Sequence, residues 1–168
     1  MMIELRERTA ETVLIYFRAT RDAEIQKLLP QKAQSEEEAL EDFAETKREG
    51  ATSYGRTIYA DGRYVGDIWC YCIQEEEPNA MVSYCVFEKV LWNRGIATQS
   101  LKLFLEEIIE KFHLKHIGAF TYLENISSIQ VLEANGFRRI EEFVEDGVAS
   151  VYLQRNEENC YAGVAKNG

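Results

Sequence analysis

The chain of 168 residues is poor in several of the things that announce a function. It has two histidines and four cysteines (Cys70, Cys72, Cys85, Cys160), and no two cysteines form a CxxC pair. Closed metal sites are built from closely spaced Cys and His, so no metal is expected. The cysteines read instead as buried free thiols acting as small apolar groups. Cys70 and Cys72, two apart in a strand-like run, should then share one face. Basic residues are also short. Nineteen Lys and Arg stand against 29 Asp and Glu, a net charge of −10. An acidic chain repels nucleic-acid phosphates, so no nucleic acid is expected as a partner, whereas amines, cations at neutral pH, are tolerated. No apolar run approaches the roughly 20 residues that span a bilayer. The opening Met1-Met2-Ile3-Glu4-Leu5-Arg6-Glu7-Arg8 lacks the basic-then-apolar order of a signal peptide. A cytoplasmic protein without membrane contact is the expectation. The nucleotide-triphosphate loop GxxxxGK[ST] is missing, and so is the triple-glycine spacing of dinucleotide folds.

What remains is an ordinary globular composition, 46% hydrophobic and 29% charged, of a length suited to one domain. Ile3–Arg8 alternates as a strand. Helices are expected over about 11–18 and 22–29, the second stopped by Pro30. Ser35-Glu36-Glu37-Glu38 has the form of a capping box, opening a helix that should run to Gly50. The period then changes to two. Tyr54–Tyr59 and Tyr64–Ile73 flank the turn signal Asp61-Gly62, and Ala80–Phe87 follows as a third strand of a meander. Residues 96–112 carry Ile96, Leu101, Phe104, Leu105, Ile108, Ile109 and Phe112 on one helical stripe. A strand His116–Tyr122, a helix Asn125–Asn135, and a hairpin Phe137–Glu145/Val148–Arg155 around Asp146-Gly147 complete the core. Residues 1–155 are expected to form a single domain and 156–168 a flexible tail. The order β-α-α-α-β-β-β-α-β-α-β-β describes a mixed α/β sheet, antiparallel in front, with strands 80–87 and 116–122 parallel across the helix.

The helix after Gly95 begins unusually. First turns commonly carry acids that complement the positive end of the helix dipole. Ile96-Ala97-Thr98-Gln99-Ser100 carries none, and Asn93, Arg94 and Gly95 stand before it. Free N–H groups, a cation and the Thr98 hydroxyl make a site for a diphosphate; close packing of small residues is the competing reading. A second constellation follows one strand later. Asn125, Ser128 and Leu132 share a helical face in the run Asn125-Ile126-Ser127-Ser128-Ile129-Gln130-Val131-Leu132-Glu133-Ala134-Asn135-Gly136-Phe137.

These two motifs resemble those of the GNAT superfamily of N-acetyltransferases: a strand, then Q/R-x-x-G-x-G/A opening a helix, and later N-x-x-[AS] in a short helix ending in Gly-Phe. Gly95 and Ala97 fit the first motif, and Trp92 replaces the usual Gln or Arg. That tryptophan and the Val-Leu-Glu-x-Asn-Gly-Phe ending resemble the ribosomal-protein alanine N-acetyltransferase branch. The resemblance implies the GNAT fold, its sheet splayed between strands 80–87 and 116–122. It implies acetyl-CoA as cosubstrate, held by Val86 backbone, by Asn93, Arg94, Gly95, Ile96, Ala97 and Thr98 at the pyrophosphate, and by Asn125 and Ser128 along the pantetheine arm. Acetyl transfer to a primary amine, a protein N-terminus or a small molecule, would proceed by direct attack in a ternary complex. Homodimers are frequent among such proteins.

The sequence departs from the family in two places. The tyrosine that often protonates the leaving thiolate is replaced by Leu132, which leaves Ser128 as the candidate acid, or as a cofactor contact only. The glutamate common on the central strand is replaced by Met81. No base is assigned: Glu88, Asp67 and Glu75–Glu77 are possible substitutes, each read first as a solvated surface acid, and water relaying a proton to a distant carboxylate is a further route. Tyr84 and Trp69 are expected to shape the acceptor pocket or the core, and His113 and His116 to be structural. A non-catalytic acyl-CoA-binding module is the alternative function.

Overall fold

The computed structural model describes residues 1–157. Seven strands and five helices follow in the expected order: β1 (Ile3–Arg6), α1 (Ala10–Ala19), α2 (Ala23–Leu28), α3 (Glu36–Glu45), β2 (Tyr54–Ala60), β3 (Arg63–Gln74), β4 (Asn79–Val86), α4 (Ile96–Phe112), β5 (His116–Tyr122), α5 (Ile126–Ala134), β6 (Arg138–Glu145) and β7 (Val148–Asn156). The strands form one sheet in the order β1-β2-β3-β4-β5-β7-β6. All pairs are antiparallel except β4 with β5.

Local chemistry explains most boundaries. Asp61-Gly62 and Asp146-Gly147 adopt positive φ at both residues, the requirement of a two-residue hairpin whose twist matches its strands. Thr9 caps α1 reciprocally with Thr12. At α3 the expected box is only half closed. Ser35 accepts the Glu38 N–H, but the Glu38 carboxylate accepts from Gln34 N instead. The helix also ends at Glu45 rather than running to Gly50; a turn occupies the intervening residues.

Cys70 and Cys72 do not share a face. Cys72 has φ 53° at an irregularity between Tyr71 and Gln74, and an extra residue there breaks the period-two alternation. Cys70 and Cys85 are buried, and Cys72 is exposed. The expected tail lies outside the described residues, as does Cys160, except for Asn156 and Glu157. Asn156 belongs to β7, opposite His116.

The core sits between the sheet and α4. Leu101, Phe104, Leu105 and Ile108 are buried there against Ile58, Ile68, Val82 and Ile117. Such side chains contribute roughly 1.5–3 kcal/mol each through burial. This packing holds the N-terminus of α4 beside the one parallel pair of strands.

Candidate active site

β4 and β5 pair only over Asn79↔His116, Ala80↔Ile117 and Met81↔Gly118. Beyond Met81 they diverge, while β4 stays paired with β3 as far as Val86↔Gly66. Phe87 N donates to Val65 O, so alternation along the ladder turns the backbone groups of Val86 and Tyr84 away from β3, into the gap. The Val86 carbonyl accepts from Trp92 Nε1 at 2.7 Å. The tryptophan therefore ties the loop before α4 to the end of β4, a role that the sequence had not disclosed.

At the head of α4, Gly95 is the N-cap at φ 80°, with no side-chain capping bond and no acid in the first turn. The first N–H groups of the helix are left to whatever enters the gap. Positive φ at Gly95, and at Asn93 before it (φ 63°), folds the loop tightly. The second motif packs directly against this one. Ser127 Oγ donates to Asn93 Oδ1 at 3.0 Å, and Asn135 Nδ2 donates to the Thr98 carbonyl at 3.1 Å. Asn125 caps α5, its Oδ1 accepting the Ser128 N–H at 3.2 Å.

A cavity of about 880 Å³ occupies the gap. Its lining brings together Val86, Asn93, Gly95, Ile96, Ala97, Thr98, Asn125 and Ser128, which the sequence had placed in one site. Arg94 is the exception: it is exposed and does not line the cavity. Uncapped N–H groups without a neighbouring acid suit a phosphate ester, and the fit holds without a cation.

The expected bases are elsewhere. Asp67 is buried outside the cavity lining, 3.3 Å from Arg8 Nε, and accepts from Tyr64 at 2.5 Å. Burial pushes its carboxyl up to about 6, against the pull of Arg8 and Tyr64. Glu88 faces Arg63, and Glu75–Glu77 form an exposed turn. Trp69 packs edge-on against Tyr16, off the cavity. His116 pairs with Asn156, and His113 is the left-handed C-cap of α4, both structural positions. The acidic residues that line the cavity are Glu124 and Glu145. Nothing in their local sequence marks them, because only the closing of β6 against β7 brings Glu145 to the gap.

Tyr84 provides the feature that changes the chemistry most. It lines the cavity from β4, and its hydroxyl lies 3.0 Å from Ser128 Oγ and 3.2 Å from the Ser128 carbonyl. Burial raises its phenol well above the ordinary tyrosine value, with Ser128 pulling it back. It therefore keeps its proton at neutral pH. A phenol is thus delivered from β4 to the first turn of α5, one helical turn from the position where Leu132 replaces the tyrosine of the sequence motif.

An open parallel pair, an uncapped helix end and a hydroxyl pair meet at one cavity. The chain belongs to the acetyltransferase (GNAT) domain family, whose sequence profile matches residues 3–138. No curated protein matches it. Its fold is similar to that of spermidine N-acetyltransferase from Vibrio cholerae, solved with CoA and spermine (13% identity, 93% of this chain and 96% of that chain, TM-score 0.83). It is likewise similar to RimL, a ribosomal L7/L12 alpha-N-protein acetyltransferase solved with CoA (18%, 93% and 94%, TM-score 0.80). A GNAT-family acetyltransferase from Bacillus anthracis is 22% identical over 94% and 96%, with TM-score 0.74. At these identities the likeness establishes the fold. Among the described residues no helix is long and apolar enough to cross a membrane, and no cluster of His, Cys, Asp or Glu is placed to hold a metal.

Proposed function

We propose that the protein transfers an acetyl group from acetyl-CoA to a primary amine by direct attack within a ternary complex. The observation that carries this reading is the uncapped, acid-free N-terminus of α4 opening into the β4–β5 gap. The N–H groups from Gly95 to Thr98 and the Thr98 hydroxyl receive the pyrophosphate. Asn93, braced by Ser127, fixes the loop. Arg94 adds at most a distant field. The outward-turned Val86 N–H and the free amide group of Asn125 border the path of the pantetheine arm.

When bound, acetyl-CoA supplies the thioester: the amine nitrogen bonds to its carbonyl carbon, the C–S bond breaks, and the sulfur leaves as a thiolate. The protein must then stabilise a developing oxyanion, accept a proton from the attacking nitrogen and supply one to sulfur. A β4 backbone N–H in the gap serves the oxyanion. Ser128 Oγ donates to sulfur, Tyr84 restores the serine proton across the 3.0 Å bond, and solvent in the open cavity returns a proton to Tyr84. Glu124 or Glu145, directly or through water, takes the proton lost by nitrogen.

An acyl-cysteine route is disfavoured. Cys85 borders the cavity, but burial pushes its thiol up to about 12, and the thiolate is the nucleophilic form.

The test is free-thiol release from acetyl-CoA across a panel of amines, with products identified by mass spectrometry. Amine-dependent thiol release with an acetylated amine is expected. Coenzyme binding without thiol release from any amine would instead make the protein a binding module.

A further inference from the structure

The charge of the cavity is one-sided. Among the described residues its lining contains no Lys, Arg or His, and its charged members are Glu124 and Glu145. Neither takes part in an ion pair among those residues. A like-charged ligand is repelled by such a mouth and a cation is drawn to it.

The remainder of this end is apolar. Tyr71 stands opposite Met81. A Cβ added at Gly118 would meet both Tyr152 and Met81, at 2.6 and 2.8 Å, so these residues occupy one face of the sheet. Phe120, two residues after Gly118 and opposite Tyr152, belongs to that same face. It packs edge-on against Phe143 (5.7 Å between centroids) and tilts over Tyr152 (5.1 Å). The cavity is lined on this side by Tyr71, Phe120, Phe143 and, from α2, Ile25, Leu28 and Leu29. Trp69, two residues before Tyr71, meets Tyr16 of α1. The aromatic group therefore lies on the α1 side, across the gap from the cradle built by α4 and α5. Yet Phe120 is 56% exposed. A half-exposed phenylalanine inside an aromatic cluster at a cavity is surface that a ligand can cover.

We infer that the amine acceptor is a primary amine carried on an aromatic-sized apolar body and bearing no carboxylate. Its ammonium is drawn by Glu124 and Glu145, and its body covers Phe120 and Phe143. This rests on the amine-acetylation reading above and narrows it. Polycations lack the apolar body, and free amino acids bring a carboxylate to a mouth that has no cation to receive it.

The experiment compares phenethylamine, phenylalanine and spermidine. Thiol release from acetyl-CoA is followed for each, and each is titrated calorimetrically into protein saturated with CoA. Phenethylamine should exceed both others at least tenfold in kcat/KM and in affinity. Phe120→Ala should raise KM for phenethylamine at least fivefold with kcat and the KM for acetyl-CoA little changed. Glu145→Gln should erase much of the discrimination against phenylalanine. Equal or better turnover of phenylalanine or spermidine would overturn the inference and leave amine acetylation standing. Selective phenethylamine binding without thiol release would uphold the inference and overturn the transfer reaction. Turnover of other amines with no phenethylamine binding would again overturn the inference alone.

Discussion

Replacing Tyr84 by Phe removes one oxygen and keeps the ring. The lost contacts are those to Ser128 Oγ at 3.0 Å and to its carbonyl at 3.2 Å. A hydrogen bond of this kind contributes about 1 kcal/mol net, so Tm should fall by only about 2–4 °C in a chain of this size. The catalytic loss should be larger. Positioned proton transfer is worth roughly 10²–10⁴-fold; because a thiolate leaves comparatively well, a fall in kcat of about tenfold to a hundredfold is expected. The cradle lies apart from Tyr84, so the KM for acetyl-CoA should move less than twofold. Ser128→Ala should act alike, and the double variant should be no worse than the poorer single one, since both residues serve one proton path. The assay is steady-state thiol release at saturating amine, with Tm measured on the same preparations. A kcat within twofold of the parent, or fully additive losses in the double variant, would refute the relay.

Three further perturbations probe the frame around the site. Asp67 has its folded carboxyl raised by burial from 3.8 to about 6, so the folded state holds a proton more tightly than the unfolded chain. Its contribution to stability is therefore present at low pH and lost as pH rises through about 6. Relative to Asp67→Asn, the parent should gain about 1 kcal/mol between pH 7 and pH 5, read by denaturant melts at both values; no relative gain would mean that Arg8 holds Asp67 ionised throughout. Phe104 is fully buried and stacks on Tyr54 at 6.1 Å, so Phe104→Ala should cost about 3–5 kcal/mol and lower Tm by roughly 10 °C. Trp92→Phe deletes the bond to the Val86 carbonyl; CoA affinity should fall several-fold by titration while the far-ultraviolet circular dichroism is unchanged.

Most of the frame was legible in the sequence because it is written in local chemistry. Asp-Gly pairs specify tight hairpins, a seven-residue apolar stripe specifies α4, and its acid-free start marks the helix end that lines the cavity. Errors came where a distant neighbour decides the outcome. The irregularity at Cys72 reverses one side chain without any warning in composition. Glu38 accepts from the Gln34 N–H instead of closing the box on Ser35. Asp67 is an ordinary strand acid until the fold buries it beside Arg8. On the side of α4 and α5 the motif spacing anticipated which backbone and small residues line the cavity. Arg94 stands outside the lining, because spacing along a loop does not say which way a side chain leaves it. The partners of Ser128 and the carboxylates of the cavity come from β4, the β5–α5 turn and β6, and only the sheet order brings them together.

The cradle is tested most directly by titrating coenzyme A into the parent, Gly95→Glu and Arg94→Glu. Nothing lies within 4 Å of a Cβ built at Gly95, but φ there is positive, and a carboxylate at the helix N-terminus meets the pyrophosphate with like charge. The cost of such a juxtaposition is several kcal/mol, a loss on the order of a hundredfold or more. Gly95→Glu should therefore all but abolish binding, whereas Arg94→Glu, outside the cavity, should weaken it only a few-fold. Undiminished coenzyme affinity in a folded Gly95→Glu protein would contradict the account.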